Sequence, residues 1–287
     1  MNLIRTTFIL ISLLIIIAVN GSVNAYVLQG PHILELMIKR LGRVKTLQIN
    51  QKLIIYTDNT ELVPKELSEN VRYFFPAGFR ADINSKTSQR IFLKTDAAII
   101  TVLDGRIMPE SETWFDKYQE LLLYHSRISL HKKLVLQSVN LSITSFGRFE
   151  DQIAYVLGAQ YPDLSCSQVW IAKETFLPMR RLIKNSGRFD DNSYREIRYL
   201  DWKMVKKSWY PHRIQFYQDQ QLLRELKVVD ITADVLFEKD YFSIPHILET
   251  YPKAEKIPEQ DPGVKDSDVK DINEVKQSIE DFKKRFE

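Results

Sequence analysis

Apolar residues recur at two periods along this chain, and the switches between them outline its architecture. Residues 31–44 open with Pro31 and place Ile33, Leu34, Met37, Leu41 and Val44 three or four apart, with Lys39, Arg40 and Arg43 on other faces. That spacing predicts an amphipathic helix with proline in its first turn. Over residues 46–56 the period drops to two: Leu47, Ile49, Leu53 and Ile55 share one face and Gln48, Asn50 and Lys52 the other, as in a half-buried strand. Further short strands are predicted over residues 70–75, 79–84, 89–94 and 97–103, punctuated by Pro76-Ala77-Gly78, Asn84-Ser85 and Asp104-Gly105. Such regular spacing indicates an antiparallel meander rather than alternating strands and helices.

Between residues 110 and 139 the helical period returns, with Trp114, Phe115, Tyr118, Leu121, Leu122 and Tyr124, then Leu130, Leu134 and Val135. Two helices joined near residues 125–129 fit this run, and their apolar density predicts that they cover the sheet. Residues 152–158, 167–172 and 177–184 form a second meander, in which the Tyr161–Ser165 stretch supplies turn chemistry. Strands over residues 194–204, 209–218 and 222–231 follow, and residues 234–244 close the domain with Phe237, Tyr241 and Phe242. The expected class is mainly β with helices (α+β), with about eleven antiparallel strands.

The ends of the chain read differently. Residues 1–25 hold one basic residue, Arg5, then an apolar run and Val23-Asn24-Ala25. This is the pattern of a secretory signal cleaved after Ala25; the run is short for a bilayer span. No cysteine follows it, so no lipid-attachment motif is expected. Residues 251–264 carry Pro252, Pro258, Pro262 and Gly263 among charges, a linker composition. Val269, Ile272, Val275, Ile279, Phe282 and Phe286 then predict a C-terminal amphipathic helix over the remainder up to residue 287. The folded domain is expected to span residues 26–250.

Composition narrows the chemistry. The lone Cys166 forbids an internal disulfide, so an exported chain must rely on its core, for which 44% hydrophobic residues suffice. Cys166 is read as a buried, inert thiol beside a turn. The formal charge of +3, or +2 once Arg5 leaves, is too small to expect nucleic acid as a partner. Local basic clusters stand at Lys39-Arg40 with Arg43 and Lys45, at Arg180-Arg181 with Lys184, and at Lys203 with Lys206-Lys207. Each reads as a solvated face or as a contact for anionic headgroups. No nucleotide loop, metal-ligand spacing or nucleophile motif occurs, and His32, His125, His131, His212 and His246 are scattered. No catalytic residue, metal or cofactor is expected.

One resemblance adds to this reading. The runs VWIAKETFLPMRRLI, WYPHRIQFY and VVDITADVLFEKDYFSIP, in that order, resemble the LolA/LolB-like lipoprotein-carrier and lipoprotein-sorting superfamily. Ala172 stands where many of its members have Asp. The resemblance implies an open half-barrel whose concave face is covered by helices, acting as a periplasmic carrier of lipid or lipoprotein acyl chains toward the outer membrane. It also implies an inner-membrane donor and an outer-membrane acceptor. A periplasmic sensor that binds lipid with the same fold is the alternative, and a monomer is expected in either case. The apolar faces assigned to the concave side are Leu47, Ile49, Leu53 and Ile55 on the first strand, Ile153, Tyr155 and Leu157 in the central meander, and Ile214 and Phe216 late in the chain. The same residues would serve an ordinary core equally well.

Overall fold

The computed structural model describes residues 27–56, 63–109, 112–184, 194–238 and 240–254. Its strands are β1 (Thr46–Ile55), β2 (Lys65–Phe74), β3 (Gly78–Asn84), β4 (Gln89–Lys94), β5 (Ile99–Leu103), β6 (Arg106–Ile107), β7 (Thr144–Phe149), β8 (Gln152–Leu157), β9 (Gln168–Ala172), β10 (Pro178–Lys184), β11 (Tyr194–Val205), β12 (Ser208–Gln218) and β13 (Gln221–Ala233). The helices are α1 (Gly30–Leu41), α2 (Glu120–Leu123), which continues a 3-10 turn over Trp114–Gln119, α3 (Arg127–Leu136) and α4 (Ile244–Thr250). The signal segment and the C-terminal amphipathic helix lie outside the described residues.

All thirteen strands join one antiparallel sheet, ordered β6-β5-β4-β3-β2-β1-β13-β12-β11-β10-β9-β8-β7. Two meanders meet at its centre, where Leu47 stands opposite Ala233 and Leu53 opposite Leu226. The meanders end at β6 and β7, the two edges of the sheet. The chain joining them must therefore travel from one edge to the other, and it does so through the 3-10 turn, α2 and α3. We call this stretch the connector.

Curvature is evident from one side chain. In a flat sheet, strands seven places apart, as β4 and β10 are, would be about 34 Å from each other. Yet Lys94 of β4 and Arg181 of β10 both reach the Glu120 carboxylate, at 3.1 and 2.9 Å. The sheet is thus curled around the connector as an open half-barrel.

Among the described residues thirteen strands replace the expected eleven because β6 and β7 escape the pattern. A two-residue strand has no period to read, and β7 contains Gly147, which reads as a strand breaker. Its glycine is required by packing: a Cβ there would fall 2.7 Å from the Trp170 ring and 2.8 Å from Val156. Gly147→Ala should therefore lower stability by about 1–3 kcal/mol through overpacking. An unchanged denaturant midpoint would show that the indole moves aside freely.

The outer face carries two smaller cores. Ile247 of α4 covers Ile91, Leu93, Ile100 and Val102, while Trp170 packs with Ala154, Val156, Ala172 and Met179 toward the β7 edge. Helix α4 is too short for the periodicity to reveal, although Ser243, whose hydroxyl accepts from His246 N at 3.3 Å, and Pro245 mark its start. Phe237, Tyr241 and Phe242 do cluster, at centroid distances of 5.4–5.7 Å. Cys166 is exposed rather than buried, because the turn extends past it and β9 begins only at Gln168. Beyond α4 the chain pairs with the β6 edge: Ile107 N donates to Pro252 O at 2.9 Å and Ala254 N to Ile107 O at 2.8 Å.

Candidate functional site

Strand alternation brings Leu47, Ile49 and Leu53 of β1, Tyr155 and Leu157 of β8, and Ile214 and Phe216 of β12 into one buried cluster on the concave face, with Ile55 partly buried against it. Ile153 has the same parity as Tyr155 and Leu157, but it stands at the start of β8, is 47% exposed and lies outside that cluster. The space between these strands is filled. Ile33, Leu34, Met37 and Leu41 of α1 pack into it, as do Leu121, Leu122, Leu130 and Leu134 of the connector. Trp114, Phe115 and Tyr118 place their rings edge-on to Phe216, at 5.8, 5.5 and 6.0 Å. Among the described residues, hollows of about 520 and 470 Å³ open on the surface, one along Trp202, His212 and Lys227 and another along His131, Val135 and Leu141.

The periodicity reading passed over the polar residues that share the concave face. Gln51 has the parity of Ile49 and Leu53 on β1, and its amide donates to Glu69 of β2 at 2.7 Å. Arg90 of β4 makes two bonds, of 2.8 and 2.7 Å, to Asp116 of the connector. Glu120, at the start of α2, is fully buried. It meets Lys94 and Arg181 from the sheet, Lys133 from α3 at 3.2 Å, and the Gln137 amide at 2.9 and 2.7 Å. Arg181 also donates to Lys117 O at 2.8 Å, and Tyr199 of β11 to Tyr118 O at 3.0 Å. The connector is thus fastened to both meanders by charged and hydrogen-bonded groups. A polar residue at an inward parity position, such as Gln51 or Glu69, is the signal by which this could have been found.

Electrostatics differ between the two carboxylates. Burial pushes Glu120 up, but Arg181, Lys94 and Lys133 outweigh it and hold the carboxyl well below the usual range. Glu69 has weaker company. Burial raises it to about 7, against the pull of the Gln51 hydrogen bond and the Arg90 charge. At the turn between α2 and α3, His125 stacks on Phe75 at 4.1 Å, and burial, then the nearby Arg43, lower it to about 4.

The basic clusters read from the sequence separate into two kinds. Strand alternation sends Arg180 to the outer face, where it binds Glu196 at 2.8 Å, and Arg181 inward to Glu120. That pair is therefore not a solvated patch. The clusters at residues 39–45 and 203–207 remain exposed, and they lie side by side. Among the described residues no group of three His, Cys, Asp or Glu side chains could hold a metal ion, and no helix is long and apolar enough to cross a membrane.

This architecture is the LolA-like fold. Over 76% of this chain it superposes on 97% of a domain from Vibrio parahaemolyticus assigned to outer membrane lipoprotein sorting, with a TM-score of 0.50 and 12% identity. Over 75% of the chain it superposes on 98% of a LolA superfamily protein from Nitrosomonas europaea, with a TM-score of 0.52 and again 12% identity. No family model and no curated protein matches the sequence itself. Identity this low leaves the fold as the shared property.

Proposed function

We propose that the protein is a periplasmic carrier that binds the acyl chains of a lipid or lipoprotein against the concave face, in place of its own connector. The observation behind this reading is how the connector is held. Its apolar side chains make contacts that a hydrocarbon chain of similar area could replace, at about 0.8 kcal/mol per buried methylene. Its register is set by buried ion pairs, which add little net stability compared with apolar packing and suit an element with two positions. Glu120 and Asp116 carry those pairs on the connector, and Lys94, Arg181 and Arg90 on the sheet. Neighbours with this fold include a lipoprotein-sorting domain, which agrees with the cargo class.

In this reading Leu47, Ile49, Leu53, Ile55, Tyr155, Leu157, Ile214 and Phe216 line the opened cavity and Ile153 stands at its rim. A fluorescent fatty-acid probe added to the folded protein tests it. Wild type should bind the probe. Ile214→Glu, which places a carboxylate at a site only 1% exposed, should abolish binding, because desolvating the charge is costly. Ile153→Glu should weaken it only a few fold. Binding unaltered by Ile214→Glu, at a pH where circular dichroism shows that the variant is folded, would remove the concave face as the site. Probe binding that changes affinity for a membrane partner without cargo transfer would favour the sensor role.

A further inference from the structure

Two basic stretches far apart in the chain meet at one end of the half-barrel. Gly42 and Ser208 form an isolated antiparallel bridge, and Arg43 N donates to Lys207 O at 3.3 Å. Gly42 makes this approach feasible: its φ is +87° and a Cβ would fall 1.9 Å from Lys207 O. The end of α1 therefore lies against the β11–β12 turn. Arg40, Arg43, Lys45, Lys206 and Lys207 are all exposed along the resulting rim.

The rim is only partly neutralised. Lys206 Nζ pairs with Asp234 at 3.2 Å, while Lys45 meets the same carboxylate only through its backbone N–H, at 3.3 Å. Arg43 and Lys207 form no ion pair among the described residues. Apolar surface is interspersed with the cations. Met204 is 59% exposed, and the half-buried Trp209 ring lies under the Arg40 guanidinium at 4.9 Å. Cations mixed with an exposed methionine and an indole match a phospholipid interface, where phosphates meet the charges and the apolar groups reach the acyl boundary.

The rim also adjoins the connector. Phe75 N donates to Lys45 O at 3.0 Å, and the Phe75 ring stacks on His125 in the turn between α2 and α3. We propose that this rim is the docking surface for an anionic phospholipid bilayer, and that docking sets the connector's turn beside the lipid. The proposal stands apart from the carrier reading, since a protein can bind a bilayer surface without taking up an acyl chain.

Co-sedimentation of the full chain with vesicles tests it. The vesicles would contain about one-third phosphatidylglycerol in phosphatidylcholine at about 0.05 M salt. Wild type should bind them, leave them at about 0.5 M salt, and ignore pure phosphatidylcholine. Each basic side chain near an anionic surface strengthens binding roughly fivefold, so the double variant Arg43→Gln/Lys207→Gln should bind about 25-fold more weakly. Both side chains are exposed, so its unfolding midpoint should match wild type. Lys52→Gln/Lys65→Gln removes the same charge at the opposite end of β1 and β2 and should keep wild-type binding. Absence of wild-type binding, or equal loss in the two double variants, overturns the proposal. Vesicle binding without uptake of the fatty-acid probe would instead defeat the carrier reading and leave the rim intact.

Discussion

Replacing Glu120 by Ala should destabilise the fold by about 3–5 kcal/mol, because it leaves charged partners buried without their counter-ion. Lys94 and Arg181 have side chains only 3% and 2% exposed, and both depend on this carboxylate. Lys94 keeps Glu112 at 3.0 Å, and Arg181 keeps Lys117 O at 2.8 Å, so the loss is not of two isolated charges. The pH dependence follows from the sign of the shift. A carboxyl held below its ordinary value contributes stability that is fully present above the unfolded pKa of about 4.5 and disappears as pH falls through the folded value. The gap between wild type and Glu120→Ala in denaturant titrations should therefore be constant from about pH 5.5 to 8 and close only in strong acid. A gap below about 0.5 kcal/mol at neutral pH would mean that Lys94 and Arg181 reach water once the carboxylate is gone. In the carrier reading the same variant should take up the acyl probe more readily, since its connector is less firmly held.

Glu69 should produce the opposite dependence. Its pKa is raised from 4.5 to about 7, so the folded state holds the proton more tightly than the unfolded one. Its contribution is complete below about pH 4.5, declines as pH rises, and is gone above about pH 7, a total of about 3 kcal/mol. Glu69→Gln keeps an amide beside Gln51 and has nothing to titrate. Its stability relative to wild type should thus rise between pH 5 and 8, by about 2.5 kcal/mol over the window. The comparison must be made as a difference, because His125 acts the other way. Lowered from 6.5 to about 4, it loses stability as pH falls through that range. A Glu69→Gln curve parallel to wild type would show that Glu69 is ionised in the folded state at every pH tested. Because Glu69 faces the connector, its ionisation above pH 7 should also loosen the connector and increase probe uptake with pH, a rise that Glu69→Gln should lack.

Much of the fold was legible because it obeys local periods. The two-residue alternation of Leu47, Ile49, Leu53 and Ile55 placed β1 and its inward face, and the three- and four-residue spacing of Ile33, Leu34, Met37 and Leu41 placed α1. Side-chain direction is a property of the backbone repeat, so these assignments need no knowledge of the partner. The same rule explains the misses. β6 is too short to show a period, and Gly147 interrupts β7 for the sake of a Trp170 ring that arrives from β9.

Which distant segments meet was decided by tertiary structure alone. The pairing of β1 with β13 joins the two meanders, and the curl that follows lets β4 and β10 share one carboxylate. Nothing in the neighbourhood of Glu120 in the sequence announces Lys94 or Arg181, and nothing near Arg43 announces Lys207. The concave face itself was readable as a set of apolar positions, since burial of apolar surface is encoded residue by residue. Whether that face encloses a cavity or a packed connector depends on the path the chain takes between the two sheet edges. Loop paths are governed by closure between distant elements and not by local spacing. The sequence alone thus determined the strands, helices and apolar faces of this protein; the curl, the charged fastening of the connector and the basic rim exist only once the chain has closed on itself.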